Sequence, residues 1–443
     1  MKYLMKLNTI KSKFIKNKFL NLAIARNILI IIVVVVIVIG AVAAYYFYQL
    51  SQQTTERMLK IGVIMELTGE LARDGIVCKR GYDIWYKAVQ QRGGIDIGGV
   101  LYKVELRYYD TASDPGRAAT AVEKAVADKV DILLGPYSSS NTLGAIPVVN
   151  KYGIPMFAGS PESHLIPEQK SPWVFQTLLT TKQTPLAFEK VVQRYRDYVR
   201  TVAIVASSDA FSQGLASAYR DLFKRLNISI VLDETFPVDI TDLRPLMSKV
   251  ASLNPDIVAV AGHPIHHLLA VRALKEIGFN PKMMFVHYGI DSPEFLREAS
   301  SFAEGVMGLI QWVPYVNWKD PVFGDVNNFL KMWNETYPGI TPDYTAVSCA
   351  ATASYVVELI RQLSLKPPFD TSAWNKIRDA AEKTTIETIL GPIRYSTDPA
   401  TWHVNMELLP HVAVVQIQGG KLVIVYPDEV KQANIVFPKP PWK

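Results

Sequence analysis

Residues 131–159 read DILLGPYSSSNTLGAIPVVNKYGIPMFAG. A short apolar run, Asp131 to Leu134, breaks at Gly135-Pro136. A loop of small hydroxyl residues follows, then a helical stretch from Asn141 to Lys151 and a second apolar run from Pro155 to Ala158. Strands this short and uniformly apolar are buried on both faces, as in parallel sheets covered by helices. The loop Gly135 to Asn141 joins a strand end to a helix start. Free N–H groups and the positive end of the helix dipole meet there, which suits an anion such as a carboxylate. Capping of the helix by a serine accounts for the same residues without a ligand.

The alternation extends in both directions. Upstream, Leu59 to Met65 reads as a buried strand, and Gly81 to Gln91 as a helix stopping at Arg92-Gly93-Gly94. Tyr102 to Tyr109 is a strand, and Gly116 to Asp128 a helix. After Thr177 the cycle restarts, with strands at Val202 to Ala206, Ile228 to Glu234, Ile257 to Ala261 and Met283 to Val286. Helices separate them at Gln213 to Leu226, Leu243 to Ser252 and His266 to Ile277. Repeated β–α units predict an α/β protein with helices on both faces of parallel sheets. Such sheets bind ligands beyond the carboxyl ends of their strands. Two series predict two similar lobes. Later residues depart from this repeat: Asp325 to Tyr337 and Thr345 to Leu363 are helical, and Val412 to Tyr426 is a hairpin turning at Gly419-Gly420.

The chain's 443 residues carry a net charge of +6. Met1 to Arg57 holds eight Lys/Arg and one acid, leaving 39 basic and 40 acidic residues in the body. The body has no basic patch with interleaved aromatics, so nucleic acid is not its partner. Ile28 to Tyr48 is an uncharged run of 21 residues, long enough to cross a bilayer as a helix. Seven Lys/Arg precede it, which orients residues 1–27 as a cytoplasmic tail and the body outside, with 49–58 a polar tether. Tyr45 to Tyr48 fall where an interfacial aromatic belt belongs. A signal peptide cleaved after Ala41-Val42-Ala43 is the competing reading.

Cys78 and Cys349 are the two cysteines, and their pairing stays open. Asn227 and Asn334 begin glycosylation acceptor triplets. No dinucleotide, P-loop, nucleophile-elbow or HExxH motif occurs, and no cofactor is expected. His263, His266, His267 and His287 come nearest to a metal set. Pro264 prevents a full helical turn between 263 and 267, so solvated or ligand-facing histidines fit better than a metal site.

Several stretches, in order, resemble the type I solute-binding proteins of ABC transporters, the leucine/isoleucine/valine-binding family. They are IGVIMELTGELARDG, GYDIWYKAVQQRGGIDIGG, YYDTASDPGRAATAVEKAVAD, the loop quoted first, VFQT, ASSDAFSQG, NPDIVAVAG and LGPI. The resemblance implies two doubly wound parallel-sheet lobes joined by a three-strand hinge, preceded here by one transmembrane helix. Lobe 1 would comprise 59–177 and 311–390, and lobe 2 178–310. Residues 391–443 would hold a hinge crossing, the closing strands and a tail, with crossings near Thr177, Ile310 and Gly391.

The resemblance also implies a ligand site. Ser138, with Ser139 beside it, matches the serine that holds an amino acid's carboxylate, and Ser160 falls where backbone groups grip the ligand. Glu162 replaces a hydroxyl residue, favours an ammonium or hydroxyl ligand, and needs a partner such as Arg73 if buried. Phe211 matches an aromatic of lobe 2, with His263 close to another. The family's ammonium-binding acid falls near Gly289, two positions from Asp291. The implied partners are a small amino acid or amide and ABC-transporter permease subunits. A ligand sensor with a signalling partner, and an enzyme on the same scaffold, are the other classes. A half-buried packing role for Phe211 and a solvated loop role for Glu162 remain the plainer alternatives.

Overall fold

The structure is a computed structural model that describes residues 2–51 and 57–443. It divides into an N-terminal unit, Met1–Arg57, and a body, Met58–Lys443. The N-terminal unit is one helix, Lys2–Ser51, that continues through the basic tail. Its segment Arg26–Tyr45 is long and apolar enough to cross a membrane. The apolar side chains from Ile28 to Ile39 are exposed, as expected for β-branched residues with no protein packed against them. Half of the expected tether, residues 52–56, lies outside the described residues, as do the side chains of Tyr46, Phe47 and Tyr48.

The body contains two main sheets. The first has the order β2 (Ile95–Ile97), β3 (Val100–Asp110), β1 (Met58–Met65), β4 (Ile132–Leu134), β5 (Met156–Ala158), β6 (Val174–Gln176). Its pairings are parallel except for the β2–β3 hairpin at the edge. β1 reads MLKIGVIM and is buried from Ile61 onward because helices cover both faces. The second sheet has the order β17 (Lys421–Tyr426), β16 (Ala413–Gln418), β11 (Met307–Ile310), β10 (Met283–Val286), β9 (Ile257–Ala261), β7 (Thr201–Ser207), β8 (Ser229–Phe236). Only β16 runs against the others, so its pairings with β11 and β17 are antiparallel. Two short ribbons complete the strands: β12 (Lys319–Asp320) with β13 (Gly324–Asp325), and β14 (Ile386–Thr388) with β15 (Gly391–Ile393).

The helices Tyr344–Gln362 and Thr371–Ala381 return to the first sheet, where Tyr344–Gln362 packs on the helix Ala72–Gln91. The chain thus passes between the lobes after β6, after β11 and before β16. The third passage lies beyond Gly391. Val404 still bridges Gln176 at the edge of the first sheet, and His403 stacks on Phe175 at 4.2 Å. The turn Met406–His411 then leads into β16. A hydrogen bond from Leu179 N–H to Gln311 Oε1, 3.0 Å, ties two of the passages together.

Cys78 and Cys349 are free and buried. Asn227 and Asn334 are exposed.

Candidate functional site

In a parallel sheet each helix begins where its strand ends, so helix caps gather along the carboxyl edges of the strands. Four caps meet here. Ser138 caps Ser139–Tyr152, accepting from Asn141 N–H at 3.1 Å. Asp209 caps Ala210–Arg225, accepting from Ser212 N–H at 3.0 Å. Asp343 caps Tyr344–Gln362, accepting from Ala346 N–H at 2.9 Å. His263 precedes Pro264–Ile277, whose proline occupies the first turn, where its missing N–H costs nothing.

The caps surround a small cavity between the lobes. Its lining includes Ser138, Ser139, Ser160, Glu162, Phe211 and His263, six of the eight residues singled out in the sequence. Tyr137, Pro161, Tyr288 and Thr345 complete it. The cavity is closed by bonds between lobes: Tyr137 OH to His263 Nδ1, 2.8 Å, Ala210 N–H to Ser140 Oγ, 3.1 Å, and Ser163 Oγ to Ala210 carbonyl, 3.1 Å. Phe211 stands between His263 and His287, with centroids 5.6 and 6.0 Å away, and forms an aromatic wall with Tyr288.

The other two residues lie elsewhere. Arg73 is exposed on the first turn of Ala72–Gln91 and does not reach Glu162. That carboxylate has different partners: Tyr344 OH donates to Oε1 at 2.7 Å, and His287 Nε2 is 3.5 Å from Oε2. Oε2 has no hydrogen-bond partner. Asp291 is half-buried outside the cavity lining, with its Oδ1 inaccessible, and its Oδ2 accepts from Tyr344 N–H at 3.3 Å. Burial first, and then the Asp343 carboxyl, push its pKa up to about 8.

A second layer escaped the sequence reading. Glu66, just past β1, accepts from Tyr137 N–H, Ser138 N–H and Asn141 Nδ2, each at 2.9 Å. Burial raises its pKa and these donors pull it back in part. Two close backbone approaches place it. Gly135, at φ +78°, has no room for a side chain, since a Cβ would stand 2.1 Å from the Ile64 carbonyl. A Cβ on Gly75 would stand 2.0 Å from the Glu66 carbonyl.

Asp74, also buried, is raised to about 6 by burial, with His263 opposing. His263 lies 4.0 Å from Asp74 and 3.4 Å from Asp209. Burial disfavours its charge, but Asp209 and Asp74 outweigh that and raise its pKa. Burial likewise works against the Asp209 carboxylate, and His263 with the Ser212 donors lowers its pKa all the same. His267 is lowered well below its ordinary value by burial and the neighbouring histidines, so it stays neutral. One signal for this layer was available: Glu66 is a lone carboxylate at the end of a strand otherwise buried on both faces. The histidines form no metal-holding group with the carboxylates among the described residues.

Known proteins share this fold. The leucine-specific-binding protein of Salmonella typhimurium is 23% identical over 347 residues, 78% of this chain and 89% of that protein. A Leu/Ile/Val-binding protein of Rhizobium johnstonii is 26% identical over 251 residues, 56% of this chain and 66% of that protein. In fold, a leucine binding protein of Thermotoga maritima superposes with a TM-score of 0.69 at 20% identity, over 84% of this chain and 99% of its own. A solute binding protein of an ABC transporter from Rhodopseudomonas palustris, solved with benzoate, gives 0.69 at 19% identity, over 85% and 99%. Residues 58–421 match the periplasmic binding protein family, and the chain belongs to that family.

Proposed function

We propose that the body captures a small amine-bearing solute, an amino acid or an amide, between its two lobes and delivers it to the permease subunits of an ABC importer. Branched-chain side chains are the first candidates, because relatives with leucine in their names share the fold at 20–23% identity. No catalytic step is required. A ligand that bridges the lobes favours the closed form by its differential affinity for it. The observation that carries the reading is Glu162, a buried carboxylate whose Oε2 lacks a hydrogen-bond partner and which lines a cavity without lysine or arginine. A buried carboxylate left short of donors is costly, and an ammonium group would relieve that cost. An aromatic acid of the kind held by the benzoate-bound relative would instead bring a second negative charge to that end.

Calorimetry with leucine and 4-methylpentanoate tests the reading. Leucine should bind more tightly, and Glu162→Gln should remove its advantage. Equal affinities in the wild type would exclude an ammonium subsite.

Membership of the family supports a location outside the cytoplasm, and we propose that Arg26–Tyr45 tethers the body to the membrane with the N-terminus cytoplasmic. Full-length protein should stay with membranes through a carbonate wash, with the body open to external protease. A soluble mature chain beginning at Ala44 would overturn the tether.

A further inference from the structure

The loop that the sequence marks as an anion site already holds an anion, and it belongs to the chain. Glu66 takes the N–H groups of Tyr137 and Ser138 and the Asn141 amide, and Asn141 Nδ2 also donates to Thr111 Oγ1 at 2.7 Å. Asn141 N–H goes to Ser138 Oγ, and Thr142 N–H to the Ser138 carbonyl at 3.0 Å. Glu66 is wholly buried, so no solvent exchange frees those donors. A ligand carboxylate placed here would face a like charge across a shared set of donors. Ser138 Oγ lines the cavity beside Glu66, and a hydroxyl proton shared with that carboxylate can turn to a neutral carbonyl oxygen.

At the other end, Glu162 Oε2 is buried without a hydrogen-bond partner, with His287 Nε2 3.5 Å away. Around the cavity Asp74 and Asp343 are buried and Asp209 and Asp291 half-buried, while the one buried lysine, among the described residues, is Lys439, hydrogen-bonded to Asn280 near the C-terminus.

We propose that the site selects a small primary ammonium whose other end is a neutral carbonyl, as in an amino-acid amide, and that Glu66 is the residue that excludes the free carboxylate. This rests on the amine-bearing reading above, with Glu162 holding the ammonium. Glu66 acts by occupying donors, and Ser138 acts by offering one.

Calorimetry on the full-length protein with leucinamide, leucine and 4-methylpentanoate separates the two claims. Leucinamide should bind at least 10-fold more tightly than leucine. Glu66→Gln should close most of that gap by tightening leucine, leaving leucinamide within about 3-fold. Leucine binding as well as leucinamide, with 4-methylpentanoate weaker than both, overturns the exclusion and leaves the ammonium site standing. 4-Methylpentanoate binding best overturns both.

A second arm is independent of the side chain. Sodium acetate, compared with sodium chloride at equal ionic strength, should raise the melting temperature of Glu66→Ala and not of the wild type. Glu66→Gln takes its place if the alanine variant does not fold. An equal acetate response in wild type and variant overturns the proposal, even if none of the three leucine compounds binds.

Discussion

Glu66 and Glu162 are both buried glutamates of lobe 1, each in a loop beyond a strand of the first sheet, yet they are satisfied differently. Three N–H donors converge on Glu66, two from the backbone and one from Asn141. Glu162 receives one hydroxyl from Tyr344 and has His287 at 3.5 Å. A carboxylate with its donors supplied by the chain belongs to the folded framework, and its loss is felt as instability. On the proposed reading, one with an oxygen left open serves the ligand, and its loss should be felt as affinity. Burial alone separates the two poorly, since both are nearly inaccessible.

The largest expected effect tests the framework side. Glu66→Ala strands three buried donors, each worth roughly 1–3 kcal/mol when unpaired, so urea denaturation should show a loss of about 3–5 kcal/mol. Glu162→Gln without ligand should change stability by less than about 1 kcal/mol, because Tyr344 can still donate to its amide oxygen. Equal losses in the two variants would break the comparison.

The next effect tests the ligand side. Glu162→Gln should weaken leucinamide by about 1.5–3 kcal/mol, the range for a hydrogen bond to a charged group, while 4-methylpentanoate stays unchanged. Calorimetry reads both.

The third concerns acids that neither ligand nor framework donors fully satisfy. Asp291, at about 8, is raised above its ordinary 3.8, so the folded state favours its protonated form. Its contribution is fully present below pH ~4 and is lost as pH rises through about 8. Asp74, at about 6, and His263, also raised, act with the same sign. Thermal melts should therefore fall between pH 5 and 8.5, and Asp291→Asn should recover roughly 1–2 kcal/mol of that loss. An unchanged pH slope in the variant would assign the loss elsewhere.

The smallest effect concerns closure. Tyr137→Phe removes the bond to His263 between the lobes, about 0.5–1.5 kcal/mol, and should weaken ligand by no more than about 10-fold with little change in stability. Ligand added to the wild type should hold the compact form seen here. Small-angle scattering checks this, and a radius of gyration that grows on binding would contradict it.

The fold was readable because its signals are local. Runs such as Leu59 to Met65 and Ile257 to Ala261, with helices of opposite patterning between them, define parallel sheets without knowledge of any distant residue. The uncharged stretch before the body is equally local, since length and composition alone make it able to span a bilayer. The β2–β3 hairpin was half visible, with its second strand read and its first hidden in the glycine turn at Arg92 to Gly99. The course of residues 391–405 could not be read locally, because it depends on His403 stacking on Phe175, more than two hundred residues away.

Six of the eight chosen residues line the cavity; the family resemblance supplied them, and strand-end loops are where such sheets bind. Pattern could not decide who pairs with whom. Arg73 and Asp291 looked equivalent to their neighbours in sequence; a helix phase turned one to solvent, and packing beneath Tyr344 set the other outside the cavity lining. Sequence by itself determined the alternation of strands and helices, the apolar N-terminal segment and the loops that meet at the cleft. Only the tertiary structure decided that Glu66 fills the donors of the Ser138 loop while Glu162 keeps an open oxygen. Hydrogen bonds across some 70 to 180 residues of chain depend on distances of a few tenths of an ångström, which no local pattern encodes.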